Sequence, residues 1–432
     1  MEMIVEGIIT NKNRSMYTLC GSEETYVVYS EKELEIGIQG KFNLIKDYKG
    51  YKYVSHQEGD IYDKLYKKIY SLTLPKQNDW LLEDDTTQCL KEQGTKLIRH
   101  LITSQKLGRK ILLRYHNDAD GISGGLAFKK LLGSILNYQN SGAVYSPNFA
   151  LSDLSLLSNA FKPIVILIDF GSSKESNEGL SLLNAAGIET VIIDHHPYDE
   201  KPGVGWYISP WECEGNSQYP AGYISCELVQ PFMDYKKIKD LMKISLAGDK
   251  SKLVKTNDED KRKAIIFDYI ATYSHFPNTL AFYETVLEDE SILNSIGLAA
   301  EEKLDSIKIA AKHYTKEKIF GDLKVVILQL DKIVQKHSFP SKSKAAGAVF
   351  EMYEDPIILV GKGKKLITLR VSDNAKKIVS GREIVEEMKK QCPQGVLSGG
   401  GHDAAASMRC DPELTEIVVE NLLEFIQKKL HR

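Results

Sequence analysis

VIIDHHP, residues 191–197, is a short apolar run that ends in Asp194, His195 and His196 and then a proline. Such a run reads as a buried strand delivering one carboxylate and two imidazoles at its carboxyl end. Burying those groups is costly unless something binds them. The chain upstream repeats the construction. KILLRY (110–115) is strand-like and runs into His116, Asp118 and Asp120 of HNDADGISGG, and PIVILI (163–168) ends at Asp169 of DFGSS. LAFKKLLGSILNY (126–138) is predicted helical, a short AVYS (143–146) follows, and LSDLSLLSNAF (151–161) and ESNEGLSLLNAAG (175–187) are predicted helical again. Strands alternating with helices of about a dozen residues are the mark of βαβ units, hence an α/β fold with a parallel sheet buried on both faces.

Ligands of such sheets bind in the crevice outside the carboxyl ends of the strands. A single strand ending in Asp is explained by a turn or a helix cap. Three strands converging on acids and imidazoles are not. Several carboxylates at one low-dielectric edge repel, so cations are expected among them. Asp and His donors without a thiolate point to manganese, with zinc or iron as alternatives and magnesium less at home beside imidazole. Two such ions about 3.5–4 Å apart form a clamp for phosphoryl hydrolysis.

The HxDxDG of HNDADG, the strand-terminal Asp169, the Asp-His-His of IIDHHP and Asp249 of SLAGDKSKL together resemble the four motifs of the DHH phosphoesterase superfamily. SGGGHDAAAS (398–407) resembles the GGGHxxAAG signature of the DHHA1 domain that follows it in the family, with Ser407 where the family has a small Gly. The resemblance covers about residues 109–432 and is nearest the archaeal RecJ-like branch. It implies two divalent metal ions, one held by His116, Asp118 and Asp169 and the other by Asp120, Asp169, His195 and Asp249, with Asp169 bridging. It further implies that Asp194 orients a ligand imidazole and that His196 contacts the scissile phosphate. The catalytic set is then Asp118, Asp120, Asp169, His195 and His196, and Arg370, Gly399, Gly400, Gly401 and His402 bind substrate.

The rest of the chain sets the context. Residues 1–57 are rich in Val, Ile, Tyr and Thr with Gly and Asn/Lys breaks, predicting a small OB-like β-barrel. Residues 58–108 carry apolar positions at helical spacing and form a helical connector, 109–256 the DHH domain, 257–320 a helical linker and 321–432 the DHHA1 domain. With 56 Lys and Arg against 59 Asp and Glu, the net charge of −3 excludes a globally basic nucleic-acid binder but not a local basic groove. Lys342, Lys344, Lys362, Lys364 and Lys365 are candidates for backbone contacts there. The six cysteines form no CxxC pair, so free thiols are expected, and no apolar run approaches a membrane span, which predicts a cytoplasmic protein.

The function implied is a metal-dependent exonuclease on single-stranded DNA or RNA that releases mononucleotides in DNA repair or replication, of either polarity. The resemblance includes some archaeal relatives that associate with a helicase and run 3′ to 5′. Single-stranded nucleic acid is the expected partner, together with a helicase or replisome protein and no membrane. Two other readings share the fold: a phosphatase or phosphodiesterase for nanoRNA, adenosine bisphosphate or cyclic dinucleotides, and a Cdc45-like replisome scaffold without metals.

Overall fold

Short alternating strands at the amino end close on themselves. In the computed structural model, which describes residues 2–430 except 49, 77–78, 134, 274–278 and 336–337, five strands form a closed barrel in the order β1-β2-β3-β5-β4. They are β1 (Glu2–Asn13), β2 (Met16–Gly21), β3 (Thr25–Tyr29), β4 (Gln39–Asp47) and β5 (Gly50–Glu58). Val5, Ile9, Tyr17, Leu19, Val28, Phe42 and Leu44 fill its interior. Ile8 and Cys20 lie in a second cluster, against α1 (Tyr62–Leu72) and the residue that ends α2 (Asp85–Lys106). Asp84 caps α2 in a reciprocal arrangement with Thr87, which fixes where this long helix begins.

The parallel sheet is as the alternation requires. β6 (Ile111–His116), β7 (Leu136–Asn140), β8 (Ile164–Ile168), β9 (Glu189–Ile193) and β10 (Trp206–Ile208) run parallel in the order β10-β9-β8-β6-β7. Every residue of β8 is buried, the pattern of a strand covered on both faces. The covering helices are α3 (Ala119–Leu132), α4 (Pro147–Leu157), α5 (Asn177–Ala185), α6 (Ala221–Val229) and α7 (Lys239–Gly248).

Three sequence expectations shift. The helix read over 126–138 stops at Leu132, because Gly133 takes φ 70°, and the second strand is LNYQN rather than AVYS. Tyr145 of AVYS lies instead in the core, its hydroxyl donating to Asp153 at 2.7 Å. The helix expected from Leu151 begins at Pro147, a residue suited to a first helical turn. Cys89 and Cys213, expected as free thiols, form a disulfide across 124 residues of sequence, a pairing that only the packing of α2 on the 210–213 turn creates.

Helices α8 (Asp258–Thr272), α9 (Leu280–Glu288) and α10 (Glu290–Ala311) follow. The chain divides into two compact units, the first reaching to Ala264 and taking in Thr279–Glu284, the second holding the rest. The second unit is built on β11 (Thr315–Phe320), β12 (Leu323–Gln329), β13 (Ile357–Lys362), β14 (Leu366–Val371), β15 (Val396–Gly401) and β16 (Ala405–Cys410), in the order β11-β12-β13-β14-β16-β15. The segment expected helical through 320 therefore turns to strand at Thr315. Val325 and Ile327 face a cluster with α13 (Gly381–Gln391) and α14 (Thr415–Leu430). Val326 and Leu328 face the opposite one, with α10, α11 (Leu330–Ile333) and α12 (Lys342–Phe350). Among the described residues no helix is long and apolar enough to cross a membrane.

A polar network ties the connector to the α/β sheet. Glu189 of β9 accepts from Trp206 Nε1 at 2.9 Å, lies 2.9 Å from His100 Nε2 of α2 and pairs with Arg109 at 2.5 Å. Burial would raise this carboxyl, but His100 and Arg109 hold it down from 4.5 to about 2. A carboxyl depressed by folding contributes stability that is present above its unfolded value and lost as the pH falls toward its folded one. Glu189→Gln is expected to cost about 2–3 kcal/mol near neutral pH. In urea unfolding the gap from the parent chain is expected to narrow between about pH 5 and about pH 3.

Candidate metal centre

Four segments bring their acids and imidazoles to the carboxyl edge of the parallel sheet. β6 contributes His116, and the turn after it Asp118 and Asp120; β8 leads to Asp169, β9 to Asp194, His195 and His196, and α7 ends at Asp249. His116 Nδ1 lies 2.8 Å from Asp118 Oδ2 and 3.3 Å from Asp169 Oδ2. His195 Nε2 lies 3.3 Å from Asp169 Oδ1 and 3.2 Å from Asp249 Oδ2. Three groups have ligand atoms within 4.8 Å of one another: His116, Asp118 and Asp169; Asp120, His195 and Asp249; and Asp169, His195 and His196. Asp169 belongs to two of them.

The local backbone explains how the acids get there. Asp118 does cap α3, accepting from Gly121 N at 3.0 Å through Oδ1, while its other oxygen faces His116. The cap and the cluster are thus one residue doing two jobs. Asp169 adopts φ 65°, a left-handed conformation uncommon for a residue with a side chain, and it does so at the end of a fully buried strand. Its Oδ1 is buried and has no hydrogen-bond partner among the described residues. A buried carboxylate oxygen left without a donor is what a cation site looks like from the protein side.

Asp120 is fully buried. Its Oδ2 accepts from Ala221 N and its Oδ1 from Gly222 N, each at 2.9 Å, and Ser245 donates to Oδ1 as well. The amino end of α6 therefore receives this acid, and backbone N–H groups there favour an anion. Burial and the carboxylates of Asp169 and Asp249 nonetheless push the Asp120 carboxyl well above its usual range. A positive charge in the cluster reverses that pressure, so the donor set fits a divalent ion.

The histidines are oriented from behind. His195 Nδ1 is 3.0 Å from the Ser217 carbonyl oxygen, which leaves Nε2 toward the carboxylates. His196 Nδ1 is 2.8 Å from Asp194 Oδ1, and Asp194 also accepts from Ser172 N and His196 N at 3.1 Å each. Burial alone would raise the Asp194 carboxyl, yet His196 and His195 and these donors hold it well below its usual range. Burial opposes charge on His116, His195 and His196, and in each the adjoining carboxylates win and raise the imidazole.

The remaining expected substrate residues lie in the second unit. Gly399, Gly400 and Gly401 form strand β15, paired with Met408, Ser407 and Ala406 of β16. A Cβ at Gly399 would lie 2.9 Å from Met408 Cβ and Val385 Cγ1, so that glycine serves strand and helix packing; only Gly400 faces open space. Ser407 sits exposed on β16, so its difference from the family Gly bears on no helix contact. His402 closes the hairpin with Ala405, its N donating to the Ala405 carbonyl oxygen at 2.7 Å. Arg370 donates to Ser343 Oγ at 2.8 Å and to the Leu369 carbonyl oxygen at 2.9 Å. Of the five candidate lysines, Lys342 pairs with Asp331, Lys362 with Glu416 and Lys344 with Asp268 at 2.8 Å, so these three ammonium groups already face carboxylates.

Sequence reading missed the supporting residues Ala221, Gly222, Ser245, Ser217, Trp211 and Ser172. Only the Pro-Ala-Gly at 220–222, a helix start, left a trace in the sequence.

A parallel α/β sheet with acids and imidazoles gathered at its carboxyl edge, able to hold a metal ion, defines the class. Residues 110–248 match the DHH family, N-terminal domain. The chain is 24% identical over 450 aligned positions to the uncharacterized protein MJ1198 of Methanocaldococcus jannaschii, covering 86% of this chain and 59% of that one. The chain thus spans about three fifths of that curated relative's length. Among solved structures, the DHH domain of a member of the s1p family of ribosomal proteins superposes with a TM-score of 0.78 at 20% identity, covering 85% of this chain and 98% of its own. RecJ of Thermus thermophilus in complex with Mn²⁺ gives 0.50 at 14% identity, covering 78% and 55%.

Gly222 is the tightest point of the support: a Cβ there would lie 2.2 Å from the Asp120 carbonyl oxygen and 2.8 Å from its Oδ1. Gly222→Ala is expected to destabilise the fold by about 1–3 kcal/mol in denaturant unfolding, with the shift of α6 away from Asp120 visible in a crystal structure of the variant.

Proposed function

We propose that the chain is a divalent-metal-dependent exonuclease that shortens single-stranded nucleic acid and releases mononucleotides. The observation that carries this reading is the sharing of buried Asp169 between ligand groups assembled from separate segments. His116, Asp118 and Asp169 would hold one ion and Asp120, Asp169, His195 and Asp249 the other. Two bound divalent ions, manganese by the mixed carboxylate and imidazole donors, supply Lewis acidity toward a phosphodiester.

The chain's own groups do the rest. The N–H groups of Ala221 and Gly222 keep Asp120 in one orientation, so it need not reorganise when charge develops nearby. The Ser217 carbonyl fixes the His195 tautomer that presents Nε2. Asp194 favours the protonated form of His196, whose Nε2 donates to an oxygen of the scissile phosphate. In the second unit, the open backbone at Gly400, with His402 and Arg370, is the substrate-contacting part of the reading.

The closed barrel of β1 to β5, with β3 and β5 parallel, is read as OB-like. An added barrel favours a polymeric substrate over a small nucleotide, and the fold likeness to manganese-bound RecJ supports the same choice. A helicase or replisome protein is the partner this reading takes. Retention of every acid and imidazole speaks against a metal-free scaffold.

The test is a time course with Mn²⁺ on single strands of DNA and RNA labelled at either end. Mononucleotides released from one terminus are expected; cleavage confined to dinucleotides or adenosine bisphosphate would replace this reading with the small-nucleotide one. Asp169→Ala is expected to slow hydrolysis by about 10²–10³-fold while strand binding persists. Undiminished cleavage by that variant would reject the metal assignment.

A further inference from the structure

The groups that orient His195 lie on one short segment, and that segment is bolted to a helix outside the family-matched domain. Trp211 Nε1 and Ser217 Oγ each donate to the His195 carbonyl oxygen at 2.9 Å, while the Ser217 carbonyl takes His195 Nδ1 at 3.0 Å. Glu212 of the same segment accepts from the Tyr198 hydroxyl and pairs with Lys201, so it also grips the chain just beyond the Asp-His-His run. On its other side the segment reaches α2 at three points. Tyr219 donates to Asp84 Oδ2 at 2.8 Å, Thr86 Oγ1 donates to the Cys213 carbonyl oxygen at 3.3 Å, and Cys213 is disulfide-bonded to Cys89. Cys213 lies two residues after Trp211 and four before Ser217. The covalent tether therefore sits inside the cradle of His195.

We infer that residues 209–219 are a redox-tethered positioning element: Trp211 and Ser217 set the place and tautomer of His195, and the Cys89–Cys213 disulfide holds them there. Reduction by a dithiol releases the element. A thiolate of the reductant attacks one sulfur, the resulting mixed disulfide is resolved by the second thiol, and the reductant closes into its own disulfide. Two electrons and two protons end on Cys89 and Cys213. Cys89 is partly exposed, which gives a reductant a way in. With the tether open, no covalent link fixes the segment to α2: it keeps there the hydrogen bonds to Asp84 and Thr86, and elsewhere the Glu212 contacts and those of Ser251 and Lys252 to Gln218, and His195 loses its fixed direction. Groups that orient a ligand imidazole from behind change metal affinity by about 10–100-fold when removed.

The inference rests on the reading of His195 as a metal ligand, and the experiment separates the two. Mn²⁺ binding to the full chain is measured by calorimetry on the air-oxidised protein and on protein reduced with a dithiol that is then removed without air. Intact-mass analysis reports the state of the bond. The oxidised chain is expected to bind Mn²⁺, and the reduced chain to bind it at least about tenfold more weakly, recovering on reoxidation. Cys89→Ser with Cys213→Ser is expected to match the reduced chain and to ignore redox treatment. Trp211→Phe, which keeps the ring and removes the donor, and Ser217→Ala are expected to weaken Mn²⁺ binding in the oxidised state, with an unchanged thermal midpoint. Equal affinity of oxidised and reduced protein, or an affinity unchanged in both Trp211→Phe and Ser217→Ala, overturns the inference and leaves the metal reading standing. An oxidised chain that binds no Mn²⁺ overturns both.

Discussion

Carboxylates and imidazoles from four segments share one largely buried edge of a parallel sheet, and the cost of desolvating them, with the repulsion among the acids, constrains everything around them. At the spacing seen between Asp169, Asp120 and Asp249, burial and like charge drive the Asp120 carboxyl upward by themselves. The protein answers in part with its own polarity. The amino end of α6 points two N–H groups at Asp120, Ser245 adds a hydroxyl, and Ser172 with His196 fixes Asp194. What is left over is Asp169 Oδ1, buried without a hydrogen bond among the described residues, on a residue that, like His195, belongs to two ligand groups. That residue also carries a left-handed backbone, so the strand end is held in a costly conformation by the buried strands on either side.

The supporting shell comes from parts of the chain far from the motifs. Ser217 and Trp211 reach His195 from the segment after β10, and α2, which precedes the sheet altogether, anchors that segment through Asp84, Thr86 and Cys89. The same helix supplies His100 to the Glu189 network at the amino end of β9. One helix of the connector therefore contacts β9 at its amino-terminal residue and steadies the residues that follow its carboxyl end. A connector placed to join a barrel to a sheet has become part of the frame of the site.

The glycine-rich hairpin of the second unit shows how one signature can hold two physical requirements. Gly399 leaves room for Met408 and Val385, and Gly401 adopts φ 133° where its strand ends; Gly400 alone presents bare backbone. Arg370 and three of the candidate lysines are engaged by neighbouring oxygens within that unit. Three of the lysines that look basic in sequence thus face carboxylates in space, while Arg370 faces a hydroxyl and carbonyl oxygens.

Periodicity and residue chemistry determined a good deal unaided. The continuous apolar runs of β6, β8 and β9 announced a parallel sheet, because a strand covered on both faces has no polar side to show, and the acids at their ends announced a crevice at the carboxyl edge. Strand β7 was misplaced because Gly133 ends its helix by local backbone geometry, which apolar periodicity does not register. The strand order of the closed barrel, the reception of Asp120 by α6, the orientation of His195 by Ser217 and the joining of Cys89 to Cys213 were decided only by tertiary structure. Each depends on residues separated by between about twenty and more than a hundred positions coming within a few ångströms, and nothing in a local pattern records such a distance.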